Sequence, residues 1–369
     1  MSARCSLART AATLALLAPA PLLAQSVTGI TGIEARGVSY QTGFVVKSVS
    51  EVTIPFVVLY PVNPRLSIDL GGRWATATRK GLDTTATISG LTDIQARGVY
   101  QIVPDLVALT VSANLPTGKS NLTGGQLLTA GAIASDLLPY PVANFGSGFN
   151  LTSGLALALP VGGWALGVAG SYRVNGSFTT GDSSYKAGGE FRIRVGADRL
   201  LGQGRISFGF TFSSFGEDNL GSSPIFQSGK RYIGQGSWSF PIGNAGLQVY
   251  AWDMYRAPGS QLLGVVQSTQ KSNVLAFGTA ASVQLGPNIL RPQIEFRSHT
   301  LGDSRLAAAG KLLSLGVQYE MAMAGRLALL PSVRFDTGSE NALGANGNPS
   351  GQTYSFTGWN AGLMVRARM

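Results

Sequence analysis

The residues of this chain best suited to chemistry are arginines and carboxylates set two apart: Glu190, Arg192 and Arg194 in one run, Glu295 and Arg297 in another, with Arg73 and Arg97 in similar settings. Spacing by two puts side chains on one face of a strand. What such a face offers is a charged surface that sorts solutes by sign. Covalent catalysis has little to draw on, because His299 is the only histidine and Cys5 the only cysteine. Neither a histidine beside a nucleophile nor a His/Cys metal cluster can be assembled from these, and Ser298 and Thr300 have the opposite parity to His299. No catalytic residue, metal site or cofactor is expected, and the chain is not expected to be an enzyme.

The elements that carry these residues alternate apolar and polar side chains. In Ile206-Ser207-Phe208-Gly209-Phe210-Thr211-Phe212 the even positions are Ile or Phe and the odd ones Ser, Gly and Thr. In Leu290 to Arg297 the apolar Leu290, Pro292, Ile294 and Phe296 alternate with Arg291, Gln293, Glu295 and Arg297. A soluble sandwich also alternates, but it turns its apolar face to a second sheet. Here the rhythm runs from near Val38 to the last residue. No linker, charge run or composition break divides it, and no stretch offers the roughly eighteen apolar residues of a spanning helix. The pattern predicts an all-β fold, a transmembrane antiparallel up-and-down β-barrel with lipid outside and water inside.

The N-terminus reads as a secretory signal peptide over residues 1–24, with Arg4 and Arg9 before the apolar stretch Ala11 to Ala24. Residues 25–36 are expected as a short periplasmic segment and 37–369 as the barrel. Strands are predicted at 37–47, 51–60 and 65–79, and onward to 353–368. They number sixteen, with fourteen as the alternative. Short turns such as Pro61 to Pro64 and Gly286 to Asn288 alternate with longer polar connections such as Gly216 to Ser228. This parity puts both termini in the periplasm of a bacterial cell with an outer membrane. The last strand, with Trp359, Ala361, Leu363 and Val365 on one face, is the segment the barrel-assembly machinery would read.

Parity also predicts the lumen. Arg73, Arg97, Arg192, Arg194 and Arg297 point inward with Glu190 and Glu295, while Trp74, Tyr100, Tyr172 and Trp238 point outward at girdle positions. Loss of the signal peptide takes Lys plus Arg from 28 to 26 against 18 acidic residues, so the mature net charge is +8. A cationic interior favours anionic solutes. The same arginines could instead brace the wall through ion pairs, with external Lys and Arg binding lipopolysaccharide phosphate. Basic residues spread over many strands make nucleic acid a poor partner, and the oligomeric state is left open.

The longest connection, Pro116 to Ser147, contains Leu127, Ala130, Ile133, Ala134, Leu137 and Leu138 at near-helical spacing within Gly124 to Leu138, before Pro139-Tyr140-Pro141. It either folds into the pore and narrows it or packs on itself outside.

Two segments carry a resemblance. Leu91-Thr92-Asp93-Ile94, followed by a strand and then Asn114-Leu115-Pro116-Thr117-Gly118, resembles the "GLGD … LPTG" pattern of the MetA-pathway-of-phenol-degradation family of outer-membrane proteins. Tyr60 to Ile68 resembles that family's "YGLTDRLEL" turn, and the likeness extends over roughly Val52 to Asn175. That family is distantly similar to the long-chain fatty acid transporter barrels. The resemblance implies passive uptake of small hydrophobic or aromatic molecules, and the basic lumen suits carboxylates. A plug like that of the fatty-acid branch is not expected from the short segment before the first predicted strand. The other functions open at this point are a general, weakly anion-selective diffusion porin and a closed structural or surface-binding barrel.

Overall fold

The computed structural model describes residues 26–180, 183–262, 267–303, 305–323, 325–344 and 347–368. The expected signal peptide, with Cys5, lies outside the described residues. Sixteen strands form one closed antiparallel barrel, as the alternation predicted. They are β1 (Thr28–Tyr40), β2 (Val46–Asn63), β3 (Leu66–Gly81), β4 (Thr85–Leu91, resuming as Ile94–Val103), β5 (Val107–Leu115), β6 (Asn150–Val161), β7 (Trp164–Asn175) and β8 (Glu190–Leu201). The second half comprises β9 (Gly204–Phe215), β10 (Arg231–Ile242), β11 (Ala245–Arg256), β12 (Lys271–Leu285), β13 (Asn288–Gly302), β14 (Ala307–Ala322), β15 (Leu327–Leu343) and β16 (Pro349–Arg368). Each strand pairs with the next. β1 then pairs with β16 from Thr28 opposite Arg368 to Tyr40 opposite Phe356, which closes the cylinder.

The outer face is apolar. In β8 the outward Phe191, Ile193 and Val195 are exposed, whereas Glu190 is buried on the lumen side and Arg192 and Arg194 are half-buried. Trp74, Tyr100, Tyr172 and Trp238 are all exposed on outward positions. Among the described residues no helix is long and apolar enough to cross a membrane. The strands cross it instead, and closure leaves no backbone edge in lipid.

The first hairpin departs from the expected one. β1 occupies Thr28–Tyr40 rather than 37–47, and β2 runs Val46–Asn63 rather than 51–60. Residues 28–36, expected as a periplasmic segment, are thus the first half of a wall strand. Glycines at 29, 32 and 37 interrupt the apolar rhythm there. At Gly32 a β-carbon would lie 2.2 Å from the Leu363 carbonyl oxygen, so the strand fits its neighbour by having no side chain at that point. The pairing that places it is with the far end of the chain.

Three extensions beyond the longer-loop end of the barrel form a separate small sheet, built from the hairpin strands Ser177–Thr180 with Ser183–Lys186, Glu217–Leu220 with Ser223–Gln227, and Ser260–Gln261 with Gln267–Ser268. The connection between β5 and β6 turns into the barrel instead. It carries one helix, α1 (Gly124–Ile133). The helix is shorter than the expected run to Leu138. The Ser135 hydroxyl accepts the Leu138 amide at 3.0 Å, and Leu137 and Leu138 become fully buried inside the barrel. Leu127, one of the residues at near-helical spacing, is exposed, and α1 approaches the wall through Thr129, whose hydroxyl donates to the Ala86 carbonyl at 3.2 Å.

Deleting Thr28–Arg36 from the mature chain removes most of the β1 pairings that close the wall. The expected result is loss of the folded, heat-modifiable form on a semi-native gel, whereas an unaffected mobility would mean that the barrel closes without this strand.

Candidate functional site

The lumen is organised by the inserted connection, and the insertion starts from a hinge at Asp93. β4 breaks at Thr92 and Asp93, and β5 ends at Leu115, directly opposite Ile94. The Asp93 carboxylate accepts the Gly118 amide at 2.9 Å where the chain leaves the wall, and the Ser147 amide at 2.7 Å and hydroxyl at 3.1 Å where it returns. The Thr117 hydroxyl donates to the Thr92 carbonyl at 2.9 Å and accepts the Ile94 amide at 3.0 Å. Gly118 has no room for a side chain, since a β-carbon would sit 2.0 Å from the Phe145 carbonyl oxygen. Leu91 to Ile94 and Asn114 to Gly118, two of the motifs that carried the family resemblance, thus meet in space, and Asp93 pins both ends of the connection.

From this hinge Leu137, Leu138, Tyr140 and Phe145 pack into an apolar cluster with Val38, Ala75, Ile88, Leu312 and Phe356 of β1, β3, β4, β14 and β16. Burying each large apolar side chain is worth roughly 1.5–3 kcal/mol, enough to hold the connection against that part of the wall. Polar ties reinforce it. The Val142 amide donates to the Glu51 carboxylate at 2.6 Å, the Arg73 guanidinium donates to the Pro141 carbonyl, and Asp136 pairs with Arg256 of β11 at 3.2 Å. Of the two placements open from sequence, the structure has the inward one.

Beside the apolar cluster runs a packed charge network. Arg36 pairs with Asp336 at 2.6 Å, Asp336 with Arg334 at 2.9 Å, Arg334 with Glu295 at 3.5 Å and Glu295 with Arg297 at 2.8 Å. Tyr250 donates to Glu295 at 2.9 Å, and the Arg297 guanidinium lies 5.4 Å from the centre of the Trp252 ring. Arg297 and Glu295, both expected as selectivity residues, belong to this braced region. Arg97 is likewise tied to Asp69, its Nε 2.6 Å from the carboxylate. Sequence reasoning missed Arg36, Asp336, Glu51 and Asp93. Inward parity could have proposed the first three, but their partners lie on strands far apart in sequence.

A different arrangement lines β7 to β11. Directly opposite one another across β8, β9, β10 and β11 stand Arg192, Ser213, Arg231 and Arg256. Glu190 is shared by Arg173 at 3.0 Å and by Arg192. Arg194 and Arg231 have no carboxylate within ion-pair distance among the described residues, and Arg231 rests over the Phe215 ring at 5.3 Å. Side chains of Arg173, Arg192 and Arg256 keep 37%, 30% and 35% of their exposure, against 14% for Arg297 and 1% for Arg36. The connection therefore fills the side of the interior at β1, β3, β4, β14 and β16 and reaches the arginine wall at Arg256, while Arg173 and Arg192 on that wall stay partly accessible.

A closed sixteen-stranded antiparallel barrel with an apolar exterior and a charged interior is a β-barrel of the bacterial outer membrane. No protein-family model matches the sequence, and no curated protein matches it either. Among solved structures the chain is similar to a loop-deleted form of OmpT, an outer membrane protein of Vibrio cholerae, at 13% identity over 94% of this chain and 100% of that one, with a TM-score of 0.41. It is similar to an anion-selective porin from Comamonas acidovorans at 14% identity, 94% and 99% coverage and a TM-score of 0.42. A bacterial polysaccharide outer membrane secretin aligns at 8% identity, 92% and 98% coverage and a TM-score of 0.48. At such identities the likeness concerns the barrel alone.

Two variants test the interior. Asp93→Ala removes three hydrogen bonds from the hinge, each to a charged acceptor and worth about 1.5–3 kcal/mol. It should expose residues 119–146 to limited proteolysis while the barrel stays folded, and continued resistance would contradict the hinge. Asp336→Ala leaves the buried Arg36 without its carboxylate, while Arg334 keeps Glu295, and should cost about 3–5 kcal/mol, read as a lower urea midpoint for unfolding in liposomes.

Proposed function

We propose that this barrel is a passive channel for small organic solutes, with its route along the β7 to β11 wall and a preference for anions. The observation that carries this reading is the asymmetry of the interior: Arg173 and Arg192 keep about a third of their exposure beside the partly buried Arg194 and Arg231, which have no carboxylate partner among the described residues, and segment 116–149 of the connection contributes only Lys119 and Asp136 as charged residues, the latter paired with Arg256. A ring of cationic side chains at a constriction raises the local concentration of anions and repels cations. The accessible side chains do this without holding a solute tightly, as a diffusion route requires.

The finer reading, uptake of hydrophobic or aromatic compounds including carboxylates, rests on the resemblance to the MetA-pathway-of-phenol-degradation family. No family model supports that resemblance, but two of its motifs, Leu91 to Ile94 and Asn114 to Gly118, join at the Asp93 hinge. A non-enzymatic role is part of the same proposal. A general diffusion porin would share the arginine wall and differ in passing sugars at rates set by size. Assembly by the barrel machinery and binding of lipopolysaccharide by external basic side chains are proposed with it.

Planar-bilayer recordings in a salt gradient test the proposal. The wild type should show an anion-selective reversal potential. Replacing Arg194 and Arg231 by Gln should reduce the anion-to-cation permeability ratio by roughly several-fold. Arg297→Gln should change stability and leave the ratio nearly unaltered. A folded wild type without conductance would favour the closed-barrel alternative.

A further inference from the structure

Below the returning limb of the inserted connection, on the lumen face of β3, β4 and β5, lies a cleft of about 340 Å³. It is separate from the arginine wall, and its size falls at the small end of ligand sites. Arg73, Asn114 and Asn144 supply side-chain donors to its lining. Arg73 is the cation of the lining, and the Asp93 carboxylate that also borders it is turned onto the hinge. Both Asp93 oxygens are occupied, one by the Gly118 amide and the other by the Ser147 amide and hydroxyl. The Thr92 hydroxyl accepts the Arg73 amide at 3.1 Å, and the Pro141 carbonyl accepts the Arg73 guanidinium.

The two asparagines are oriented the same way. The Asn114 carbonyl oxygen accepts from Gln95 at 3.2 Å, and the Asn144 carbonyl oxygen accepts the Gly146 amide at 3.1 Å. Each therefore keeps its NH2 group as a donor, and Arg73 has donors beyond the one given to Pro141. Three side chains with spare donors, one of them a guanidinium, suit an acceptor-rich anion. The body of the cleft is formed by the chain from Pro141 to Phe145, with Ala143 exposed, which gives the uncharged part of a ligand something to lie against.

We infer that this cleft is a binding site for a small organic carboxylate, held by Arg73, Asn114 and Asn144. The inference uses the passage reading only to bring a solute to the cleft through the lumen. It adds a resting place on the filled side of the interior, distinct from the arginine wall. A bidentate guanidinium contact to a carboxylate would supply the directional part of the recognition.

Isothermal titration of detergent-folded protein with benzoate, with benzyl alcohol as the neutral control, tests it. Benzoate should bind with saturable heat and benzyl alcohol should not. Asn114→Asp and Asn144→Asp keep the carbonyl-side hydrogen bonds to Gln95 and Gly146 while placing a negative charge in the cleft, so each should weaken benzoate about ten-fold or more. Arg73→Gln should abolish binding, and because Arg73 also ties the connection, the two aspartate variants carry the decision. Gel mobility of the folded form checks that they fold. Equal benzoate affinity in the wild type and both aspartate variants would overturn the site, as would absence of benzoate heat in a wild type that conducts anions. Benzoate binding to a folded wild type that never conducts would keep the site and remove the passage reading.

Discussion

The structure depends on one constraint: in lipid, every backbone N–H and C=O must be paired within the protein, so a sheet that crosses the membrane has to close on itself. Here closure is made between residues at opposite ends of the chain, β1 and β16, in register from Thr28 to Tyr40. Arg36 of β1 is paired with Asp336 of β15 inside the barrel, at 2.6 Å and with almost no exposure. The seam therefore has a backbone component in the wall and a charged component within, and the second exists only because the first sets β1 and β15 on either side of β16.

Closure produces an interior, and the interior is uneven. Inward positions of β1 to β4 include Val38, Val49, Ala75, Ala77 and Ile88, all buried. An apolar patch facing a water-filled lumen is unfavourable until something covers it. The connection after β5 supplies the cover with Leu137, Leu138, Tyr140 and Phe145. The opposite wall keeps polar and cationic inward positions. Ion pairs between inward groups serve two ends in this molecule. Where both partners are buried, as in the Arg36 to Arg297 network, they fix strand and connection positions at the cost of desolvation. Where the arginines remain accessible, as at Arg192 and Arg256, pairing is partial and the side chains still face solvent.

The hinge shows how a short motif can have a structural reason. Asp93 sits in a break of β4, where a local departure from pairing frees its carboxylate to accept three hydrogen bonds from the two ends of the inserted segment. Gly118 and Gly146 let those ends pass at backbone contact: a β-carbon on Gly146 would lie 2.8 Å from the Gly118 carbonyl carbon. The cleft beneath the connection owes its shape to the same crossing. A change at this point therefore bears on the connection and the cleft together, although the strands themselves are paired independently of it.

Much was legible in the residues alone: the barrel class, the sixteen strands, which side of β8 carries Arg192 and Arg194, and the outward aromatic positions. These are consequences of a two-residue period, which each strand states locally and which has one stable solution between lipid and water. The start of β1 was not legible, because Gly29, Gly32 and Gly37 dilute the period and the strand is specified by its partner β16. Nor was the division between bracing and accessible arginines. Arg297 and Arg192 look alike in sequence, each two residues after a glutamate, yet one is packed beside Trp252 and the other faces the uncovered wall. That difference was decided by tertiary structure, because the position of the inserted connection depends on contacts between strands as far apart in sequence as β1 and β14, and no local pattern records them.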